Sequence, residues 1–323
     1  MRNYVIRRII LMIPTIFVVS VVVFFMVRFI PGDIVELMAF QRVTGGAATK
    51  EAAVDVDNIR HQLGLDVPAP VQYARWMKGI FTRGDFGTSL WTDRPVLPEM
   101  LNRLPITFEL GFFAFIISQL VAFPVGVISA IRQDSWLDYL GRSFAIISLA
   151  TPAFWLATLL IVFGSIWWGW SPAMEIIPFS EDPMGNLEQF VIPAALLGTA
   201  MSASTMRMLR TTLLDVLRQD YVRTAWAKGL MERVVITRHA MRNAMIPVIT
   251  MVAGQLFIMI GGTVIIEQIF NLPGIGRLFI ESCFRRDYPY VSGINFILAS
   301  VGLLLILATD LSYAYLDPRI RYK

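Results

Sequence analysis

Six long runs of hydrocarbon side chains set the terms for any fold this chain can adopt. The first covers 9–30, and the others fall near 108–131, 144–168, 190–209, 245–266 and 291–313. Each is about as long as the roughly 20 apolar residues that a helix needs to cross a bilayer. Within hydrocarbon only a helix or a closed barrel satisfies its own backbone polar groups, and apolar runs this long and continuous read as helices. The expected fold is an all-α integral membrane protein with six transmembrane helices. Composition agrees: 16% of the 323 residues are charged, against roughly 25% in an ordinary soluble domain. The first run exceeds the apolar core of about 7–15 residues of a typical signal peptide, and no small-x-small cleavage site follows it, so it reads as a retained first span.

Charge then orients the spans. Arg2, Arg7 and Arg8 precede the first run, and Arg319, Arg321 and Lys323 close the chain. Loop 207–243 carries Arg207, Arg210, Arg218, Arg223, Lys228, Arg233, Arg238 and Arg242 against Asp215, Asp220 and Glu232, whereas 169–189 has no Lys or Arg. By the positive-inside rule both termini and loop 207–243 lie in the cytoplasm. These loops account for the net charge of +4, and nucleic acid is not expected as a partner. Arg277, Arg285 and Arg286 fall on the outer side, partly balanced by Glu281 and Asp287. The organisation read from this is 1–30, N-terminus and first span; 31–107, a small folded outer segment with short helices and turns at Gly84 and Pro95; and 108–323, a five-helix core interrupted by loop 207–243.

Catalytic signatures are missing. The chain has no G-x-x-x-x-G-K-[ST] phosphate loop, no H-E-x-x-H and no G-x-S-x-G, and its one cysteine and two histidines form no metal-site spacing. Neither an enzyme nor a resident metal or cofactor is expected. Glu109, Glu267 and Asp310, near span ends, read as interface charges or ion-pair partners. A self-sufficient secondary transporter would want inverted repeats or a relay of membrane charges, and neither is visible. Gln119, Thr151 and Gln255 sit at mid-depth, where they either line a translocation cavity or hydrogen-bond between helices. Small residues at 194, 195, 198, 200, 202 and 203 mark the fourth span as central to a bundle. Pro14, Pro124 and Pro152 interrupt the first three spans, either as kinks tolerated for packing or as elements of gating.

The most informative stretch is the basic loop, "RTTLLDVLRQDYVRTAWAKGLMERVVITRHAMRNAMIP". Leu214, Leu217, Tyr221 and Ala225 recur at helical spacing, and Gly229 ends that helix in the manner of a left-handed cap. A second short helix near 231–242 leads to Pro247. Two cytoplasmic helices meeting at a glycine corner form a knob that fits a groove on another protein. The alternative is a basic helix pair lying on anionic headgroups.

The order of motifs along nearly the whole chain resembles the permease subunits of ATP-binding-cassette importers, in the dipeptide/oligopeptide/nickel group. The resemblance rests on "YVIRRIILMIPTIFVVSVVVFFMVRFIPGD", "GDFGTSL", "RLPITFEL", "SWLDYLGR" and "TPAFW", and most strongly on "QDYVRTAWAKGL", "RHAMRNAMIPVIT", "EQIFNLPGIGRL", "RRDYP" and "DLSYAYLDPRIR". It implies a type I importer bundle whose basic loop carries the EAA motif and a coupling helix that docks on an ATPase. That motif falls on Arg223, Thr224, Ala225 and Gly229, which with Lys228 are the implied ATPase-coupling residues. Arg223 stands where the general motif has Glu, Thr224 replaces its first Ala, and Pro247 lies further downstream. The resemblance further implies a second homologous permease, two ATPase subunits that hold ATP and Mg, an extracytoplasmic solute-binding protein, and residence in the cytoplasmic membrane. Dipeptides or oligopeptides are the expected cargo, with nickel chelates, glutathione, opines and oligosaccharides as alternatives.

Overall fold

The computed structural model describes residues 2–28, 60–61, 64–261 and 263–316, with backbone alone at 2–5, 257–260 and 310–316. Among these the secondary structure is helical, apart from an isolated bridge between Thr88 and Pro95. In chain order the helices are α1 (Arg2–Arg28), α2 (Ala69–Arg83), α3 (Val96–Ile131), α4 (Trp136–Ala150), α5 (Ala153–Trp168) and α6 (Pro183–Leu217). There follow α7 (Asp220–Ala227), α8 (Glu232–Val234), a π-helix (Val235–Ala240), α9 (Met241–Gly261), α10 (Val264–Ile269), α11 (Ile275–Arg285) and α12 (Tyr288–Leu316). The expected outer segment 31–59 and the basic tail from 317 lie outside the described residues, as does the side chain of Asp310.

Four helices, α1, α3, α6 and α12, are long and apolar enough to cross a membrane, and five spans result if the pair α4 and α5 counts as one. The run at 245–266 falls on α9 and α10, on either side of residue 262, which is outside the described residues. The run at 144–168 is not one straight helix: α4 and α5 meet at 94°. Pro152 is the cause. The residue before a proline is pushed out of the helical region, and Thr151 accordingly has φ −95° and ψ 121°. Pro14 and Pro124, by contrast, lie inside continuous helices, so neither divides its span in two. The fourth run is also longer than its apolar stretch: α6 has 35 residues, about 52 Å at 1.5 Å per residue, and so extends well beyond a hydrocarbon layer of about 30 Å.

The chain forms two compact units. One comprises Met1–Pro105, Arg277–Leu307 and Tyr313–Lys323; the other comprises Ile106–Gly276 and Ala308–Ser312. In the first, Phe24, Tyr73, Trp76, Phe86 and Phe296 form a chain of ring contacts. Gly84, with φ +64°, caps α2 in the left-handed conformation expected of its turn. The Ser89 hydroxyl donates to Asp287 Oδ2 at 2.5 Å and the Leu90 N–H to Oδ1 at 3.1 Å. Burial pushes the Asp287 carboxyl above the usual carboxylate range, against the pull of those two donors.

The second unit is built around α6. Phe190, Ala194, Leu197, Gly198, Met201, Ala203, Met206, Leu209 and Leu213 are all buried, and more of this helix is buried than of the other spans. Its small residues let neighbouring backbones close in, which in lipid is a main source of helix association. A Cβ on Gly198 would lie 2.7 Å from the Ala114 carbonyl oxygen of α3. Gly198→Ala should therefore push α3 away and cost about 1–3 kcal/mol, as overpacking does. Around Gly254 there is open space, so Gly254→Ala is the matched control. Thermal unfolding of the two purified variants checks this, and equal midpoints would contradict the close approach.

Candidate functional site

The basic stretch between α6 and α9 folds as a short arm. α6 stops at Leu217, the chain turns at Arg218 and Gln219, and α7 begins at Asp220. The apolar stripe expected over Leu214, Leu217, Tyr221 and Ala225 is therefore split between two helices. The residues of α7 that turn inward are Val222 and Ala225, which pack with Val235 beneath Val216 and Leu217. Tyr221 is 42% exposed. Its hydroxyl accepts from Asn243 Nδ2 at 2.7 Å and reaches the His239 carbonyl at 3.4 Å, tying α7 to the base of α9.

Gly229 has φ +75°, and its N–H bonds the Trp226 carbonyl at 2.9 Å. An L side chain is strained in that conformation, so the corner is placed where the sequence indicated. The second helix is not separate, however. α8 passes directly into the π-helix and then into α9, so one arm of the corner is a continuation of the helix that carries the apolar run starting at 245. π-Helical turns are rare and cluster at functional sites.

Arg223, Thr224, Lys228 and Gly229 lie on the exposed side of this arm, while Ala225 is 5% exposed and belongs to its inner face. Arg223 pairs loosely with Asp220 at 3.5 Å, with both side chains largely in solvent. Such a pair contributes about 0–1 kcal/mol, so both charges are available to a partner. The outward face also carries Trp226, 42% exposed, and Met231, 74% exposed. These two side chains, with the charges beside them, make up the candidate docking face. Trp226 was passed over in the sequence, although an indole two residues before a basic cap was the available signal.

Of the three polar candidates at mid-depth, two meet. Gln119 Nε2 donates to Gln255 Oε1 at 3.2 Å. Gln255 Nε2 donates to the Met201 carbonyl and to Thr205 Oγ1, both at 3.0 Å. The three elements α3, α6 and α9 are thus bridged by side-chain amides. Thr151 does not join them, because it stands at the break between α4 and α5. The Gln119 carbonyl oxygen is buried with no partner. Gln255→Leu breaks bonds that are made and should destabilise by about 1–3 kcal/mol, whereas Gln119→Leu also deletes an unsatisfied acceptor and should cost less. Chemical unfolding of the two variants side by side reads the difference.

Two buried charges went unrecognised as such. Asp138 of α4 is fully buried and receives Arg210 Nε and Nη2 of α6, each at 2.7 Å, in a bidentate pair. Ser129 of α3 donates to the same carboxylate. In sequence Asp138 is the third residue after the N-cap Ser135 and looks like half of a capping box. Its carboxylate turns instead to α6 and to the Asp134 N–H at 3.1 Å. Glu267, expected as an interface charge or an ion-pair partner, is fully buried and accepts from Thr107 Oγ1 at 2.7 Å. The Ile275 N–H donates to that same hydroxyl at 2.9 Å. Gly274 closes over the carboxylate, where a Cβ would collide with it, whereas a Cβ on Gly276 would lie 2.7 Å from Val264 Cα, so the first of these glycines in "EQIFNLPGIGRL" serves a side chain within the motif and the second a close approach of backbone.

Comparison with known proteins bears on this arrangement. The model of the binding-protein-dependent transport system inner membrane component matches residues 122–322, and that of the family's N-terminal membrane component matches 1–111. The glutathione transport system permease protein of Salmonella paratyphi A is 36% identical over the full length of both chains. The dipeptide transport system permease protein of Alkalihalophilus pseudofirmus is likewise 36% identical, with both chains fully covered. An inward-facing structure of the MetNI methionine ABC transporter superposes with a TM-score of 0.55 at 14% identity, over 68% of this chain and 97% of that one, which speaks to fold alone. With its helices packed around a small-residue span and its whole length matched, the chain belongs to the family of binding-protein-dependent transport system inner membrane components and has the fold of an ABC importer permease.

Proposed function

We propose that the chain is one transmembrane half of an ATP-driven, binding-protein-dependent importer of dipeptides or oligopeptides, with both termini and the arm 207–243 in the cytoplasm. Two permeases are needed to enclose a path, so the second half is a homologous subunit. Two ATPase subunits hold ATP and Mg, and an extracytoplasmic binding protein delivers the solute. The arm is the coupling element: Arg223, Thr224, Lys228, Gly229 and Trp226 present the docking face, and Ala225 anchors it from beneath. Gln119 and Gln255 are the proposed polar lining of the path.

The observation that carries this reading is the construction of the arm. A short helix is anchored by Val222 and Ala225, reversed at a positive-φ glycine, and joined directly to a span. A push on its outer face is thereby transmitted to α9. A peptide cargo is favoured by the full-length likeness to a dipeptide permease, and glutathione, itself a modified tripeptide, is the second reading, favoured by an equal likeness. The test is to capture the tagged chain from native membranes in mild detergent, identify what accompanies it by mass spectrometry, and assay ATP hydrolysis. A second permease and ATPase subunits with ADP release are the expected result. The chain alone, with no hydrolysis, would refute the importer assembly.

A further inference from the structure

The unit that contains α1, α2 and most of α12 holds a pocket of about 210 Å³ that the proposed transport cycle does not use. It lies at the level where two spans end, since Arg28 is the last residue of α1 and Tyr288 the first of α12. Phe24, Trp76 and Tyr288 supply aromatic wall, and Arg28 and Ser292 line it with them.

Three polar groups there are short of acceptors. The Arg28 guanidinium donates to the Phe24 carbonyl at 2.8 Å and to Gln72 Oε1 at 2.7 Å, and lies 3.5 Å from the Phe24 ring centre. Both acceptors are neutral, and among the described residues no carboxylate pairs with this cation. A guanidinium carries five N–H donors, of which these bonds use two. The indole N–H of Trp76 is buried without a partner, and so is the hydroxyl of Ser292, a residue 2% exposed. Buried polar groups are nearly always satisfied, so two orphans and an unneutralised guanidinium around one cavity mark it as a candidate ligand site.

All three are donors, which selects its chemistry. A cation would meet repulsion from Arg28, and a neutral apolar molecule would leave every donor unanswered. An oxyanion answers all three, and the aromatic wall suits a hydrocarbon stem. Arg28 at the end of one span and Tyr288 at the start of another, with the Trp76 indole of α2 beside them, place the pocket at headgroup depth. We propose that this pocket binds the oxyanion head of an amphiphile, a phosphate or carboxylate on an apolar stem.

The test uses the purified complex, stripped of lipid in an uncharged detergent, with thermal midpoint as the readout. Dihexanoylphosphatidate, hexanoate, inorganic phosphate and neutral dihexanoylglycerol are titrated separately. Phosphatidate or hexanoate should raise the midpoint, with half-saturation at least tenfold higher in Arg28→Met. Tighter binding of phosphatidate identifies a bilayer phospholipid as the source, and tighter binding of hexanoate an apolar carboxylate solute. Trp76→Phe and Ser292→Ala each delete one donor and keep the packing. Without ligand their midpoints should hold or rise, because an orphan is removed, while half-saturation should rise. Identical titrations in the wild type and all three variants would overturn the site, as would an equal response to dihexanoylglycerol or to inorganic phosphate alone. Transport and ATPase coupling are separate readouts, so failure here leaves the importer assignment standing.

Discussion

Replacing Asp138 with Ala should strip the protein of about 3–5 kcal/mol, because it leaves the Arg210 guanidinium in a largely buried position with no counter-charge. The carboxylate is fully buried, and Arg210 is 18% exposed at its side chain. Arg210→Met should do comparable harm from the other side, since a carboxylate buried between α3, α4 and α6 would then keep only Ser129 and the Asp134 N–H. The informative experiment is the pair together. A buried ion pair replaced by apolar groups of similar volume is often neutral or stabilising, so Asp138→Leu with Arg210→Met should recover most of what either single change loses. Folded yield by size-exclusion fluorescence and unfolding in SDS would measure all three. Additive losses in the double variant would mean that the two side chains do not share one energetic unit. The pair has a further consequence for transport. It ties α4, one limb of the 94° bend, to the central helix, so a double variant that is folded yet slow in transport would assign the pair to keeping that limb in register.

What could be read from the chain beforehand follows a physical divide. Hydrocarbon runs announce helices because the bilayer leaves few alternatives, and so five of the expected runs fall on α1, α3, the α4–α5 pair, α6 and α12. The small residues of α6 announced close packing, and Gly229 announced a reversal, because both are local properties of one segment. Side-chain pairing across 72 residues is not local. Asp138 and Arg210 each have an ordinary explanation nearby, a helix cap for one and the positive-inside rule for the other, and only the fold brings them to 2.7 Å. Glu267 and Thr107, 160 residues apart, are hidden in the same way. Gln119 and Gln255 stand out because a polar amide amid hydrocarbon is conspicuous, but the absence of Thr151 from their company depends on the 94° angle of a break that Pro152 signals without fixing its size. The break between α6 and α7 is hidden for a related reason: the helical period runs unbroken across Arg218 and Gln219, whereas the inner face of α7 is set by Val222 and Ala225.

On the proposed coupling role, the arm should fail in two distinguishable ways. Trp226→Ala removes an exposed anchor from the outer face and leaves the inner packing untouched. Truncation of a central interface aromatic commonly costs about 2 kcal/mol or more, which is roughly a 30-fold loss of affinity for the ATPase subunit. Permease and ATPase should therefore dissociate more readily on dilution, and transport should be restored by excess ATPase. Ala225→Phe acts from beneath. It forces a ring between α7 and the π-helix, where Val222 and Val235 are fully buried, and overpacking of that kind costs about 1–3 kcal/mol while tilting the helix. Gly229→Pro is harsher at the corner, because proline fixes φ near −65° and removes the N–H that bonds Trp226. For both of these variants the complex should still assemble and hydrolyse ATP, but solute transport per ATP should fall at least tenfold, and added ATPase should not rescue it. α7 packs against Val216 and Leu217 at the last turn of α6, so the strain should be taken up within the arm, and the membrane helices should unfold near the wild-type midpoint. Normal transport by Ala225→Phe and Gly229→Pro in an assembled complex would show that the arm is not the element that transmits the ATPase stroke. A lowered midpoint would mean instead that the anchor under α7 belongs to the bundle's own stability, and the docking face would then have to be sought beyond residues 220–231.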